Sequence, residues 1–126
     1  MSNLTGLVDR YIAMWNETDA KRRRALIAEV WTESALYRDP KLEGDGRAGI
    51  DAMVAQVHAA YPGYRFRRTS EVDGHHDQIR FTWELAPEGG PLFVAGVDFA
   101  VVAGEKLATV TGFFDQVNQP SQTPSA

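Results

Sequence analysis

Gln78-Ile79-Arg80-Phe81-Thr82-Trp83-Glu84-Leu85 alternates polar and apolar residues without a break. Successive side chains of a strand point to opposite faces. The run therefore reads as part of a half-buried strand, His76 to Leu85, with Ile79, Phe81, Trp83 and Leu85 turned inward. The same period of two extends on both sides. Tyr64 to Val72 reads as a strand and Asp73-Gly74 as the hairpin turn after it. Pro87-Glu88-Gly89-Gly90-Pro91 is a turn, Phe93 to Val102 a third long strand, Ala103-Gly104 a turn, and Leu107 to Val117 a fourth strand.

Upstream the period changes to 3.6. Leu4, Leu7, Val8, Tyr11 and Trp15 place one apolar stripe on a helix from about Leu4 to Glu17. Asp19 can cap a second helix, Ala20 to Val30, whose Ala25, Leu26, Ile27 and Val30 face the core. Its Lys21-Arg22-Arg23-Arg24 run reads as a solvated face. Trp31 to Pro40 reads as a turn and a short extended segment, because the residue before a proline avoids the helical region. Gly44-Asp45-Gly46 reads as a loop, and Gly49 to Ala60 as a third helix with Ile50, Met53, Val54 and Val57 on one face. Three helices followed by an antiparallel meander make an α+β domain. A curved sheet around helices leaves a cavity at its open end, where small ligands commonly sit. The domain spans residues 1–117. Asn118 to Ala126, polar with two prolines, reads as a disordered tail.

The 126 residues suit one domain with a real core. Thirteen Lys+Arg against 17 Asp+Glu give a net charge of -4, the wrong sign for a phosphate-binding surface, so no nucleic acid is expected. There are no cysteines, which excludes disulfides, thiolate metal sites and cysteine nucleophiles. The beginning, Met1-Ser2-Asn3-Leu4-Thr5-Gly6, has no basic region followed by an apolar run, and no stretch approaches a membrane span. The expectation is a soluble cytoplasmic protein with no membrane partner.

Three polar residues sit where the pattern demands burial: Tyr11 on the apolar stripe of the first helix, Asp39 before Pro40, and Asp98 in the middle of an otherwise uncharged strand. An ionised carboxylate in an apolar interior either finds a partner or stays protonated, which makes Asp98 a candidate site residue. Read singly, each has a plainer account. Tyr11 can be a core tyrosine whose hydroxyl reaches the surface, Asp39-Pro40 can start a turn, and Asp98 can face solvent on an open sheet face.

Together these residues carry a resemblance. Arg10-Tyr11-Ile12-Ala13, the segment Thr32-Glu33-Ser34-Ala35-Leu36-Tyr37-Arg38-Asp39-Pro40, and Val94-Ala95-Gly96-Val97-Asp98 follow in order across about Gly6 to Val117. In this the chain resembles the nuclear transport factor 2-like superfamily, which includes SnoaL-type polyketide cyclases, and within it bacterial ketosteroid isomerases. The resemblance implies a cone-shaped sheet around an apolar pocket, with Asp39 as general base and Tyr11 and a protonated Asp98 as hydrogen-bond donors to an enolate oxygen. It also implies no cofactor, a small hydrophobic steroid- or polyketide-like substrate, and a homodimer formed through the outer sheet face. Ile79, Phe81, Trp83, Val94, Gly96, Ala100, Val110, Gly112 and Phe114 would line the pocket, with Trp31, Tyr37, Met53 and Val57 filling the rest; ordinary core packing is the plainer account of most. The family can carry a further tyrosine on the third helix, where this chain has Val57. Arg38 can pair with Asp39 and weaken it as a base, or point away from it.

His58, His75 and His76 lack the spacing of a metal site, and neither a glycine-rich nucleotide loop nor a serine-triad signature is present. The expectation is an isomerase-like enzyme acting on a hydrophobic carbonyl compound by proton transfer. The alternatives are polyketide cyclisation, another chemistry of the same superfamily, and a non-catalytic ligand-binding or assembly module.

Overall fold

A computed structural model describes residues 3–119. The elements are α1 (Leu4–Asn16), α2 (Ala20–Val30), β1 (Trp31–Arg38), β2 (Glu43–Asp45), α3 (Gly46–Ala60), β3 (Tyr64–Arg68), β4 (Asp73–His75), β5 (Gln78–Pro87), β6 (Val94–Ala103) and β7 (Lys106–Val117). The side chains of Asn3 and Asp19 accept from Gly6 N and Arg22 N and so start the first two helices. At the end of α1 the Asn16 amide exchanges two hydrogen bonds with the backbone of Phe66, 2.8 and 2.9 Å long. That anchors the helix to the edge strand β3 and fixes Tyr11 and Trp15 against the sheet.

Two readings of α2 change. Its buried stripe is Arg23, Ile27 and Val30, spaced i, i+4, i+7, while Ala25 lies on the exposed side and Leu26 is half-buried. The four-residue basic run is therefore not wholly solvated. Arg23 is 4 % exposed, its Nε lies 2.6 Å from Asp51 Oδ1 on α3, and its Nη1 donates to the Glu17 carbonyl. A guanidinium buried there requires those partners.

The strands form one sheet in the order β2-β1-β7-β6-β5-β3, with β4 paired to β5. Its pairings are antiparallel except β1 with β7, so the sheet is mixed. A parallel neighbour needs a long connection, and everything from β2 to β6 lies between these two strands. β1 begins directly at Trp31 with no intervening turn. The segment read as a Gly44 loop is split between β2 and the first turn of α3. Asp73-Gly74 belongs to strand β4, and the reversal falls at His76, whose φ of 53° lies in the left-handed region. Histidine is among the residues that tolerate that region better than most.

Two register shifts interrupt the β6–β7 ladder. They leave Ala108 and Asp115 as extra residues on β7, and each inserted residue flips the inward phase. The concave face of β7 thus carries Leu107, Val110, Gly112, Phe114 and Val117. Register then sorts the inner face into rows. Ile79, Ala100 and Val110 form one row, Phe81, Asp98 and Gly112 the next, then Trp83, Gly96 and Phe114, and finally Leu85 beside Val94. Tyr11 packs edge-on against Trp31 and Phe81, at ring separations of 5.7 and 5.8 Å, and so lies over the Phe81–Asp98–Gly112 row. Asn118 still pairs with the backbone of Phe93 and Leu92. The rest of the expected tail, from Pro120, lies outside the described residues.

Candidate active site

Asp98 faces inward and is 3 % exposed. Its Oδ2 accepts from the Tyr11 hydroxyl at 2.7 Å and its Oδ1 from the Trp83 indole N–H at 2.9 Å. Burial raises its pKa from 3.8 to about 7. The hydrogen bonds from Tyr11 and Trp83 pull the other way, and the charge of Asp39 adds a smaller upward push. Burial, followed by the Asp98 charge, holds the Tyr11 phenol well above its usual value, so Tyr11 stays a neutral donor.

Two glycines make this possible. A Cβ on Gly96 would run into the Phe113 carbonyl and stand 2.5 Å from Trp83 Cζ2, so only glycine lets the indole lie across β6 and reach Asp98. A Cβ on Gly112 would stand 2.8 Å from Asp98 Oδ1, 3.2 Å from Asp39 Cβ and 3.3 Å from the Tyr37 hydroxyl. The bare backbone at Gly112 is thus where Asp98, Asp39 and Tyr37 converge.

Asp39 follows β1. Its Oδ1 accepts from the backbone N–H of Lys41 and Leu42, both at 2.8 Å, and its Oδ2 accepts from the Tyr37 hydroxyl at 2.5 Å. It therefore starts a turn and also presents a carboxylate oxygen to a buried phenol. Arg38 is exposed and, among the described residues, makes no ion pair with Asp39. Strand alternation sends the two to opposite faces.

A cavity of about 770 Å³ opens above the Phe81–Asp98–Gly112 row. Of the residues singled out in the sequence, Asp39, Tyr37, Val57, Trp83, Val94 and Phe114 line it. Tyr11, Asp98, Trp31, Met53, Ile79, Phe81, Gly96, Ala100, Val110 and Gly112 do not. All ten are buried, and Ile79, Ala100 and Val110 occupy the row on the closed side of Asp98. Alternation identifies the inward face of a strand, whereas depth along it depends on cross-strand register. The sequence reading missed Trp15, Phe66, Leu85, Phe93 and Tyr61, which belong to the apolar wall, and Lys41 and Gln56, which add polar groups to it. Trp15 lies one helical turn beyond Tyr11 and Leu85 continues the Trp83 alternation, so both carried a usable signal. Val57 stands on the wall as an aliphatic group and brings no hydroxyl.

Among the described residues no group of three or more His, Asp or Glu is placed to hold a metal ion. His58 Nε2 lies 2.7 Å from the Trp15 carbonyl and ties α3 to α1, while His75 and His76 meet through their Nδ1 atoms on the surface. No described helix is long and apolar enough to cross a membrane.

A SnoaL-like domain model matches residues 8–110. A structure described as a candidate isomerase of the SnoaL-like family from Agrobacterium tumefaciens strain C58 superposes with a TM-score of 0.84 at 36% identity, over 89% of this chain and 97% of that one. Two more distant structures share the fold. A candidate ketosteroid isomerase from Kribbella flavida gives a TM-score of 0.65 at 20% identity, over 95% and 83% of the two chains. A candidate SnoaL-like polyketide cyclase from Jannaschia sp. CCS1 gives 0.66 at 17%, over 88% and 86%. No curated protein matches the chain. With its three helices, strongly curled mixed sheet and matched domain model, the chain belongs to the SnoaL-like family of the nuclear transport factor 2-like fold.

Proposed function

We propose that the protein is a cofactor-independent enzyme that moves a proton on a small hydrophobic carbonyl compound through an enolate. Asp39 is the base. The negative charge that develops on the substrate oxygen is stabilised by donors near Asp39: Tyr37 on the cavity wall and, buried behind it, the hydrogen-bonded Tyr11–Asp98 pair. The observation that carries this reading is the placement of Asp39. It is a carboxylate on the wall of a mostly apolar cavity, held by three hydrogen-bond donors, with a second acid of raised pKa across Gly112. Preorganised donors around developing charge typically contribute several kcal/mol in the transition state. Steroid 5-ene to 4-ene isomerisation is the most specific version. Polyketide cyclisation begins from the same enolate, and Lys41 on the cavity wall suits a substrate with an anionic end.

Proton exchange in D2O tests the reading directly. Wild-type protein is expected to exchange the α-protons of hydrophobic ketones, a 5-ene-3-ketosteroid and 2-tetralone among them, well above the buffer rate. Binding of such ketones without exchange would favour a ligand-binding module instead.

We further propose that two copies pair through the outer sheet face. Phe99 and Phe113 stand there 42% and 53% exposed, with ring centroids 5.8 Å apart. Contiguous exposed apolar surface is the kind that marks a contact between proteins.

A further inference from the structure

We propose that Tyr37 is a catalytic residue of this cavity: its hydroxyl, rather than that of Tyr11, meets the oxygen of the carbonyl substrate whose α-proton Asp39 removes. The proposal rests on the enolate reading above and names the donor within it.

The two tyrosines are almost equally buried, at 1% and 3% exposure, but their hydroxyls are spent differently. The Tyr11 hydroxyl is bonded to Asp98, and Tyr11 forms no part of the cavity wall. Tyr37 is on the wall, and its hydroxyl lies 2.5 Å from Asp39 Oδ2. A carbonyl oxygen is one carbon removed from the α-carbon that gives up its proton. A donor to that oxygen must therefore stand close to the base, and Tyr37 is the phenol that does. Trp15 packs edge-on against the Tyr37 ring at 5.4 Å and fixes its direction.

Charge movement gives the hydrogen bond its function. In the resting site Tyr37 donates to the Asp39 carboxylate. When Asp39 takes the proton, the C–H bond breaks and an O–H bond forms on Asp39. The electron pair of the C–H bond becomes the carbon–carbon double bond of the enolate, and the carbonyl π pair moves onto oxygen. Asp39 is then a neutral, weaker acceptor and the enolate oxygen a charged, stronger one, so the Tyr37 hydrogen bond follows the charge. Reprotonation at the α- or γ-carbon restores the carbonyl and the carboxylate, with no further reactant required. Burial first, then the charges of Asp98 and Asp39, keep the Tyr37 phenol well above its usual pKa, so it remains a donor throughout the cycle.

The test pairs turnover with binding of 2-naphthol, whose phenolate mimics an enolate, using wild type, Tyr37→Phe and Tyr11→Phe. Tyr37→Phe is expected to lower kcat for α-proton exchange roughly 100-fold with KM changed less than about threefold, and to weaken naphtholate binding at least tenfold. Tyr11→Phe is expected to cost less on both counts. The ¹⁹F resonance of 3-fluorotyrosine at position 37 should shift on naphthol binding more than one at position 11, which keeps the test open if a phenylalanine variant misfolds. A kcat for Tyr37→Phe within threefold of wild type overturns the proposal. So does a lower kcat with unchanged naphtholate affinity, which leaves Tyr37 only a positioning residue for Asp39. If wild type exchanges no ketone, the enolate reading fails, and the naphthol and ¹⁹F arms alone decide the placement of Tyr37; no binding or no shift there overturns it.

Discussion

Asp39 and Asp98 abut the same glycine from the two strands that flank it. A Cβ on Gly112 of β7 would meet Asp98 Oδ1 from β6 at 2.8 Å and Asp39 Cβ from the end of β1 at 3.2 Å. Burial raises the pKa of Asp98, and the charge of Asp39 adds a smaller push in the same direction.

That shift is legible as stability. The folded-state pKa of Asp98 is about 7, against 3.8 for an exposed carboxyl, so the folded chain holds this proton more tightly than the unfolded chain. The associated stability is fully present below about pH 4 and is lost as pH rises through about 7. Urea unfolding is expected to show a wild-type stability that falls between about pH 5 and pH 8 relative to Asp98→Asn, by on the order of 2–4 kcal/mol. The same slope in both proteins would rule out Asp98 as its source.

Gly96 is expected to reject even a methyl group. Gly96→Ala forces the Phe113 carbonyl or the Trp83 indole to move and should destabilise by about 2–3 kcal/mol in denaturant titrations. Gly49→Ala, on α3 with its nearest new contact at 3.5 Å, should be neutral or stabilising by up to about 1 kcal/mol. Equal effects at the two positions would mean that Trp83 is not wedged over β6.

The basic run of α2 should divide by burial. Arg23→Ala leaves Asp51 without its partner and is expected to cost about 3 kcal/mol. The Arg22 side chain is 74% exposed, so Arg22→Ala should cost less than about 0.5 kcal/mol. Thermal or chemical unfolding of the two variants side by side is the check.

On the outer face, Phe113→Asp is expected to convert a dimer into a folded monomer, seen by light scattering at micromolar concentration with unchanged circular dichroism. A monomeric wild type would remove the pairing proposal.

These expectations rest partly on what the chain displays in one dimension. The alternation from Ile79 to Leu85 and the spacing from Leu7 to Trp15 located long strands and helix α1, because burial periodicity is a local property. The lone charge at Asp98 stood out for the same reason. The parallel pairing of β1 with β7 was hidden, since strand partners are set by the whole topology. Arg23 looked like its basic neighbours, and only the arrival of Asp51 on α3 distinguishes it. Tyr37 read as a filler residue, because its bond to Asp39 depends on the turn that Lys41 and Leu42 make around that carboxylate. Depth in the cavity was equally hidden: Phe81 and Trp83 differ by one period of the same strand, yet only Trp83 reaches the wall.

The most direct measurement is ketone α-proton exchange by wild type and Asp39→Asn, followed by NMR in D2O with matched circular dichroism. An amide at position 39 keeps the shape and the turn but is too weak a base to take a carbon-bound proton. Exchange by wild type that falls at least 100-fold in Asp39→Asn, with the ketone still bound, is the expected result. Exchange that persists in Asp39→Asn at near the wild-type rate would contradict Asp39 as the base.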